Sequence, residues 1–355
     1  AVQILDITKN LDLVDQYQRN GNVAQGQLAL EESALEDVGN VIQRVRELVL
    51  QANNASQSPE TRRAIATEIA ARIDELESLA NTRDASGEYI FAGFQAQSTP
   101  FVRQGAGVAY VGDDGQRFLQ LGSSTQVAVR DSGAEVFMSI PSGNGTFNVQ
   151  ANTANTGTAV AGMDSVVGTF VRDNYTIDFS QATVNDPVTY QVLDSASGVV
   201  ASGNYVPGGT IDFAGASIRF DGAPQDGDSF QVNPSIKQDL FSTLQNIVDE
   251  LNGAGTAPAD TARVNNAMGQ ALSNLDQALG NVLRVRSDVG VRLQQVQSQV
   301  DINESFNLQL QATLSEVQDL DYAEAISRFN LELTALQAAQ QAYVKMQGLS
   351  LFNYL

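Results

Sequence analysis

Three pairs of aspartates are the residues best placed to do chemistry: Asp113 and Asp114 ahead of Gly115, Asp226 and Asp228 around Gly227, and Asp319 and Asp321 around Leu320. Paired carboxylates can act as acid and base in glycoside hydrolysis, or gather oxygen ligands round calcium. A calcium loop needs acids at several fixed offsets and a closing glutamate, which none of these pairs has. Asp-Gly in a hairpin turn accounts for the first two pairs. The chain has no Cys, no His and no Trp. Thiolate nucleophiles, disulfides, Cys-ligated zinc and the commonest general base are therefore excluded. There is no Gly-Lys-Ser/Thr phosphate loop, and the glycines from Gly203 to Gly209 lack dinucleotide-binding spacing. The expectation is a protein that is not an enzyme, with no catalytic, metal-ligating or cofactor-binding residues.

Composition narrows the partners. Lys and Arg number 20 against 41 Asp and Glu, a formal net charge of −21, which opposes binding to nucleic acid or to an anionic membrane. No stretch approaches 18 uninterrupted apolar residues, so no spanning helix is expected. No signal peptide with a basic start and an apolar run is visible at Ala1. Because the first residue is not Met, a preceding segment is expected to exist.

The elements that would carry any function are long helices. From Met268 the apolar positions step alternately by four and three: Leu272, Leu275, Leu279, Val282, Val289, Leu293, Val296, Val300, Leu310, Leu314 and Val317. Arg286, Asn303 and Asn307 interrupt them. This is a heptad seam, which at 1.5 Å per residue extends about 75 Å and demands a partner along its length. Beyond Val317 the spacing persists through Ile326, Phe329, Leu333, Leu336, Gln340 and Tyr343, but charge disappears: after Glu332 the only charged side chain is Lys345. A helix in water within an acidic protein carries charge on its outer face. This one is expected to be buried between subunits, with Leu349, Leu351 and Phe352 extending the same apolar surface.

The first 52 residues repeat the rhythm through Ile7, Val14, Tyr17, Ala24, Leu28, Leu35, Val38, Ile42, Val45 and Val49, interrupted by Gln3, Asn10, Gly21 and Glu31. Gly21-Asn22 is where a kink would cost least. Ser58-Pro59-Glu60 is a helix start, with cap, proline and acid in order, and that helix is expected to reach about Asp84. Helices at both ends close a bundle only if the middle is an insertion that leaves and returns. Residues 98–234 are accordingly rich in Gly, Thr, Ser, Asn and Asp, with alternating runs at 117–121, 126–130, 135–140, 175–179, 188–193, 211–213, 217–220 and 229–232. Turn signals separate them, and small antiparallel sheets are expected, with an irregular crossing at 152–162. Residues 236–251 return to helix.

The fold class is therefore α+β, a long coiled-coil-like helical bundle made by the terminal segments with an inserted antiparallel β region. The expected divisions are 1–97 for the N-terminal half of the bundle and 98–234 for the insertion. Within it, hairpins occupy 98–141 and an outer β domain 142–234. Residues 235–318 form the C-terminal half of the bundle and 319–355 an inner assembly helix.

The junctions and ends carry a resemblance. Arg44-Val45-Arg46-Glu47-Leu48 and the run through Asn53, Asn81-Thr82-Arg83-Asp84, and Arg284-Val285-Arg286-Ser287-Asp288 resemble the helical ends of the bacterial flagellin superfamily. Gly87-Glu88-Tyr89-Ile90-Phe91-Ala92-Gly93-Phe94, Asp226-Gly227-Asp228-Ser229-Phe230 and the closing Phe352-Asn353-Tyr354-Leu355 resemble its hook-associated branch, hook-associated protein 3 in particular. The resemblance covers about two-thirds of the chain and matches the sheet region least. It implies a secreted structural protein of the bacterial flagellum, joining hook to filament and exported by the type III route without a cleaved signal peptide. Its implied partners are copies of itself in a ring, a hook-associated protein on the hook side, flagellin on the filament side and an export chaperone on the C-terminal helix. It also implies several dozen residues ahead of Ala1. Rival readings are a filament flagellin, against which the closing residues speak, and an extracellular adhesin or glycan-binding module.

Overall fold

The computed structural model describes residues 2–54, 56–105, 107–183 and 185–348. Helix α1 is Val2–Ala52, α2 Pro59–Ala80, α3 Leu240–Asn252 and α4 Pro258–Gly348, the last a single helix of 91 residues. Between α2 and α3 lie β1 Phe101–Gln104, β2 Gly107–Tyr110, β3 Phe118–Gln120, β4 Gln126–Ala128, β5 Ile140–Pro141, β6 Phe147–Ala151 and β7 Val160–Val166. They continue as β8 Tyr175–Ser180, β9 Thr189–Leu193, β10 Val199–Asn204, β11 Thr210–Phe213, β12 Ala216–Asp221, β13 Ser229–Pro234 and β14 Lys237–Gln238. This is the expected α+β architecture, terminal helices with an antiparallel insertion. The chain divides into two compact units: Ala1–Gln25, Leu119–Val127 and Gln294–Leu355 form one, Gly26–Phe118 and Ala128–Leu293 the other. Among the described residues no helix is long and apolar enough to cross a membrane.

In the first unit α1 and α4 run antiparallel. Gln25 Nε2 donates to Gln297 Oε1 at 2.9 Å, and Asn307 Nδ2 to Asp15 Oδ1 at 2.6 Å. Between these bonds Gly21 explains itself: a Cβ there would stand 2.5 Å from Cγ2 of Val300. The glycine permits close approach of the two helices, and α1 runs through Gly21-Asn22 without interruption. Asn303 and Asn307 interrupt the seam in chemistry but not in position. Both are buried, and Asn303 Nδ2 donates to the Leu121 carbonyl at 2.8 Å in the β3–β4 hairpin.

In the second unit the same two helices are again antiparallel, pinned by Arg46 to Asp276 and Arg286 to Glu32, each at 2.7 Å. Their seam is apolar and fully buried at Leu28, Leu35, Val38, Ile42, Val45, Leu275, Val282 and Val289. Phe91, Phe101, Phe137 and Phe241 stack edge-on or tilted at 5.2–6.0 Å between centroids, joining α3 to the β1 strand and the turn at 134–138. The outer strands form a five-stranded antiparallel sheet, order β10-β9-β8-β13-β6, and a three-stranded one, β11-β12-β7. In β12 Ala216, Ile218 and Phe220 are buried while Arg219 and Asp221 face water, the period of two that one covered face imposes. Phe220 meets Phe230 of β13 at 4.9 Å in a core shared with Phe147, Ile177, Phe179 and Phe213.

Several sequence expectations need correction. Residues 135–140 alternate, yet Ala134–Met138 is a single π-helical turn. Asn281 Nδ2 donates to the Glu135 and Val136 carbonyls at 2.9 and 3.0 Å, satisfying groups that such a turn leaves open. Helix α2 stops at Ala80, because Asn81 turns to pair with Phe101 like a strand, accepting its N–H and donating to its carbonyl. Helix α3 starts at Leu240, four residues late, where Asp239 caps it by accepting the Ser242 N–H at 2.6 Å.

One stripe along α4 organises the insertion. Asn266 Oδ1 accepts the Ala161 N–H while its Nδ2 donates to the Ala159 carbonyl; Asn274 Oδ1 accepts from Gly143; Asn281 takes Glu135 and Val136. As α4 advances its partners step backwards, so the insertion lies antiparallel along the helix and is held by its backbone. Near the end of this series Arg292 binds Asp131 at 2.6 Å. The Asp131 N–H in turn donates to Glu31 Oε1 at 2.9 Å, and Arg130 pairs with Asp84. Glu31 is fully buried and its other oxygen has no partner.

Candidate assembly surface

The aspartate pairs turn out to hold loops. Asp113 Oδ1 accepts the Phe94 and Gly115 N–H groups at 2.8 Å each, and these bonds hold its carboxyl below the usual range. Asp228 is buried and accepts from Thr156, Gly157 and Gln225, while Asp226 accepts from Gln181. The side chains of Asp319 and Asp321 lie outside the described residues. Asp113, Asp226 and Asp228 thus accept peptide N–H groups, from their own turn at Gly115 and Gln225 and from remote segments at Phe94, Thr156, Gly157 and Gln181.

A different surface stands out at the C-terminal end of α4. Upstream, the seam is buried at Val289 and Val296 and half-buried at Leu310, Leu314 and Val317. From residue 322 to 346 every side chain is exposed. The sequence-expected positions Ile326, Phe329, Leu333, Leu336 and Tyr343 are 56, 62, 40, 57 and 63% exposed. Their steps of three and four place them on one stripe of the helix, but Ile326 follows Val317 by nine residues, about half a turn out of the heptad register above. Leu349, Leu351 and Phe352 lie outside the described residues. Tyr322, Leu331, Val344 and Met346 are also exposed; Tyr322 lies one turn ahead of Ile326 on the same stripe, whereas Leu331 lies on the opposite side of the helix.

Charge is sparse here. Glu324 and Arg328 pair across one turn at 2.7 Å, and beyond Glu332 only Lys345 is charged. Covering a Leu, Ile or Phe side chain is worth about 1.5–3 kcal/mol, so the stripe holds on the order of 10 kcal/mol of gross burial available to a partner, before the losses of association. A helix of this kind draws its stability from packing rather than from its own hydrogen bonds.

Known proteins agree with this design. The bacterial flagellin N-terminal helical region matches residues 2–96, and the bacterial flagellin C-terminal helical region matches 272–355. The crystal structure of flagellar hook-associated protein 3 from Legionella pneumophila is 35% identical, with a TM-score of 0.85 over 89% of this chain and 99% of that one. FlgL of Xanthomonas campestris is 34% identical, with a TM-score of 0.81 over 87% and 99%. Flagellar hook-associated protein 3 of Escherichia coli (strain K12) is 26% identical over 338 residues, 95% of this chain and 80% of that protein. With a buried two-ended helical seam, an antiparallel insertion and these likenesses, the chain belongs to the flagellar hook-associated protein 3 family of bacterial flagellins, structural components of the flagellum.

Proposed function

We propose that the chain is a junction subunit between hook and filament that works by polymerising and catalyses nothing. The observation that carries this is the C-terminal stretch of α4, apolar and almost uncharged yet exposed at every position from 322 to 346. Ile326, Phe329, Leu333, Leu336 and Tyr343 form the contact, extended by Leu349, Leu351 and Phe352. Copies of the chain meet there in a ring, with a hook-associated protein on one side and flagellin on the other. Residues 319–355 thus form the inner assembly helix, 1–97 and 235–318 the bundle, and 98–234 the outward insertion. Before assembly the same apolar stripe needs cover, which is the task of an export chaperone. A chain with no Cys forms no disulfide that would obstruct passage, unfolded and without a cleaved signal peptide, through a type III channel.

The test is to delete the gene and image flagella by electron microscopy. Hooks without filaments, restored by a plasmid copy, are expected. Full-length filaments on the deletion strain would overturn the junction role.

A further inference from the structure

A second site lies in the second unit, away from the assembly stripe. A cleft of about 470 Å³ opens between α3, α4 and the strands β6 and β14. Six primary amides, Asn148, Gln150, Gln238, Asn246, Gln270 and Asn274, line it beside Ser142, Thr243, Asp249 and Glu250. Asn274 gives its oxygen to Gly143 at 2.7 Å. The side-chain amides of the exposed Gln150 and Asn246 and the half-buried Gln270 hydrogen-bond to no other described residue. Asn148, 6% exposed, has an oxygen without a partner, and the buried Gln238 Nε2 lacks one as well. Buried amides left this way are rare, because each costs about 1–3 kcal/mol.

The chemistry of the lining selects the occupant. The six amides offer both donors and acceptors but no charge. Asp249 and Glu250 are the only ionisable groups in the lining, and they disfavour an anion. There is no aromatic ring for a sugar to stack on. The complement is a neutral or cationic molecule with its own alternating donors and acceptors, which describes peptide backbone. The same face of α4 already uses this recognition within the chain, where Asn266 grips the N–H of Ala161 and the carbonyl of Ala159 at 2.8 and 2.9 Å. The cleft volume lies within the range of small-ligand sites. We infer that this cleft binds a short extended segment of uncharged or basic peptide through its backbone.

The test is a side-chain amide NMR titration of the ¹⁵N-labelled full chain with acetyl-Gly-Ser-Thr-Gly-amide, and with analogues carrying Lys or Asp in place of Ser. Maltotriose serves as the sugar probe. Saturable shifts of the Gln150, Asn246 and Gln270 NH₂ signals are expected with the neutral and Lys peptides, and weaker ones with the Asp peptide. The double variant Asn246→Ala, Gln270→Ala, changed at partly exposed positions, should melt like the parent and bind about tenfold more weakly. No saturable shift, equal binding by the double variant, preference for the Asp peptide, or a response to maltotriose alone would overturn the inference. None of these outcomes bears on the junction role.

Discussion

Glu31 occupies a position in the helical seam where the heptad pattern calls for an apolar residue. Burial first, and the charge of Asp131 second, push its carboxyl up to about 8. The folded chain therefore keeps a proton that the unfolded chain releases near 4.5. Between those values the native state binds more protons, so this stabilisation is complete below about pH 4.5, declines as pH rises and is gone above about pH 8. Glu31→Gln keeps the acceptor for the Asp131 N–H and removes the ionisation. Denaturant midpoints at pH 5, 7 and 9 should place the variant near the parent at pH 5 and above it at pH 9; parallel curves would refute the protonated state. The sequence marks Glu31 as an interruption of the stripe. It does not reveal that the peptide N–H facing it belongs to Asp131, 100 residues away. The hydrophobic stripe of Ile326, Phe329, Leu333 and Leu336 was legible, because missing charge is a local signal. The amide cleft was not, since its members come from four separate elements.

At the scale of elements, periodicity was a good guide wherever an element is long. The two great helices and the start of α2 at Ser58-Pro59 were readable from spacing and capping alone. Short strands were not: β7 reads Val-Ala-Gly-Met-Asp-Ser-Val and β10 Val-Val-Ala-Ser-Gly-Asn, neither with the alternation that one buried face writes into a strand. The β1–β2 hairpin, closed through Gly105 at a φ of 61°, falls in the 98–141 region expected to hold hairpins, but its two strands carry no alternation that would place them individually. What holds these strands is partly remote, as the asparagine stripe on α4 demonstrates. Asn266→Ala should strip a donor and an acceptor from the start of β7, costing about 2 kcal/mol. Hydrogen exchange should quicken at Ala161 while α2 stays protected. Unchanged exchange at Ala161 would mean that the asparagine bond contributes nothing to the docking of β7.

Over the whole molecule, a net charge of −21 makes copies repel one another. On the proposed reading, association uses a surface from which that charge has been withdrawn. Residues 333–348 contain no acid, and the Asp and Glu excess lies elsewhere along the chain. The same division explains how one sequence serves two states. Buried seams hold the fold of the chain, and the proposal assigns the exposed stripe to assembly.

That division is tested most directly by Leu336→Asp. In the free chain residue 336 is exposed, so the melt should match the parent within about 0.5 kcal/mol. In an assembled contact the carboxylate would be cut off from water at a cost of several kcal/mol. Filament counts and motility in cells carrying only the variant should therefore fall to the level of the deletion strain. Normal filaments, or a melt lowered by the roughly 2–5 kcal/mol of a core substitution, would contradict the assignment of this face to assembly.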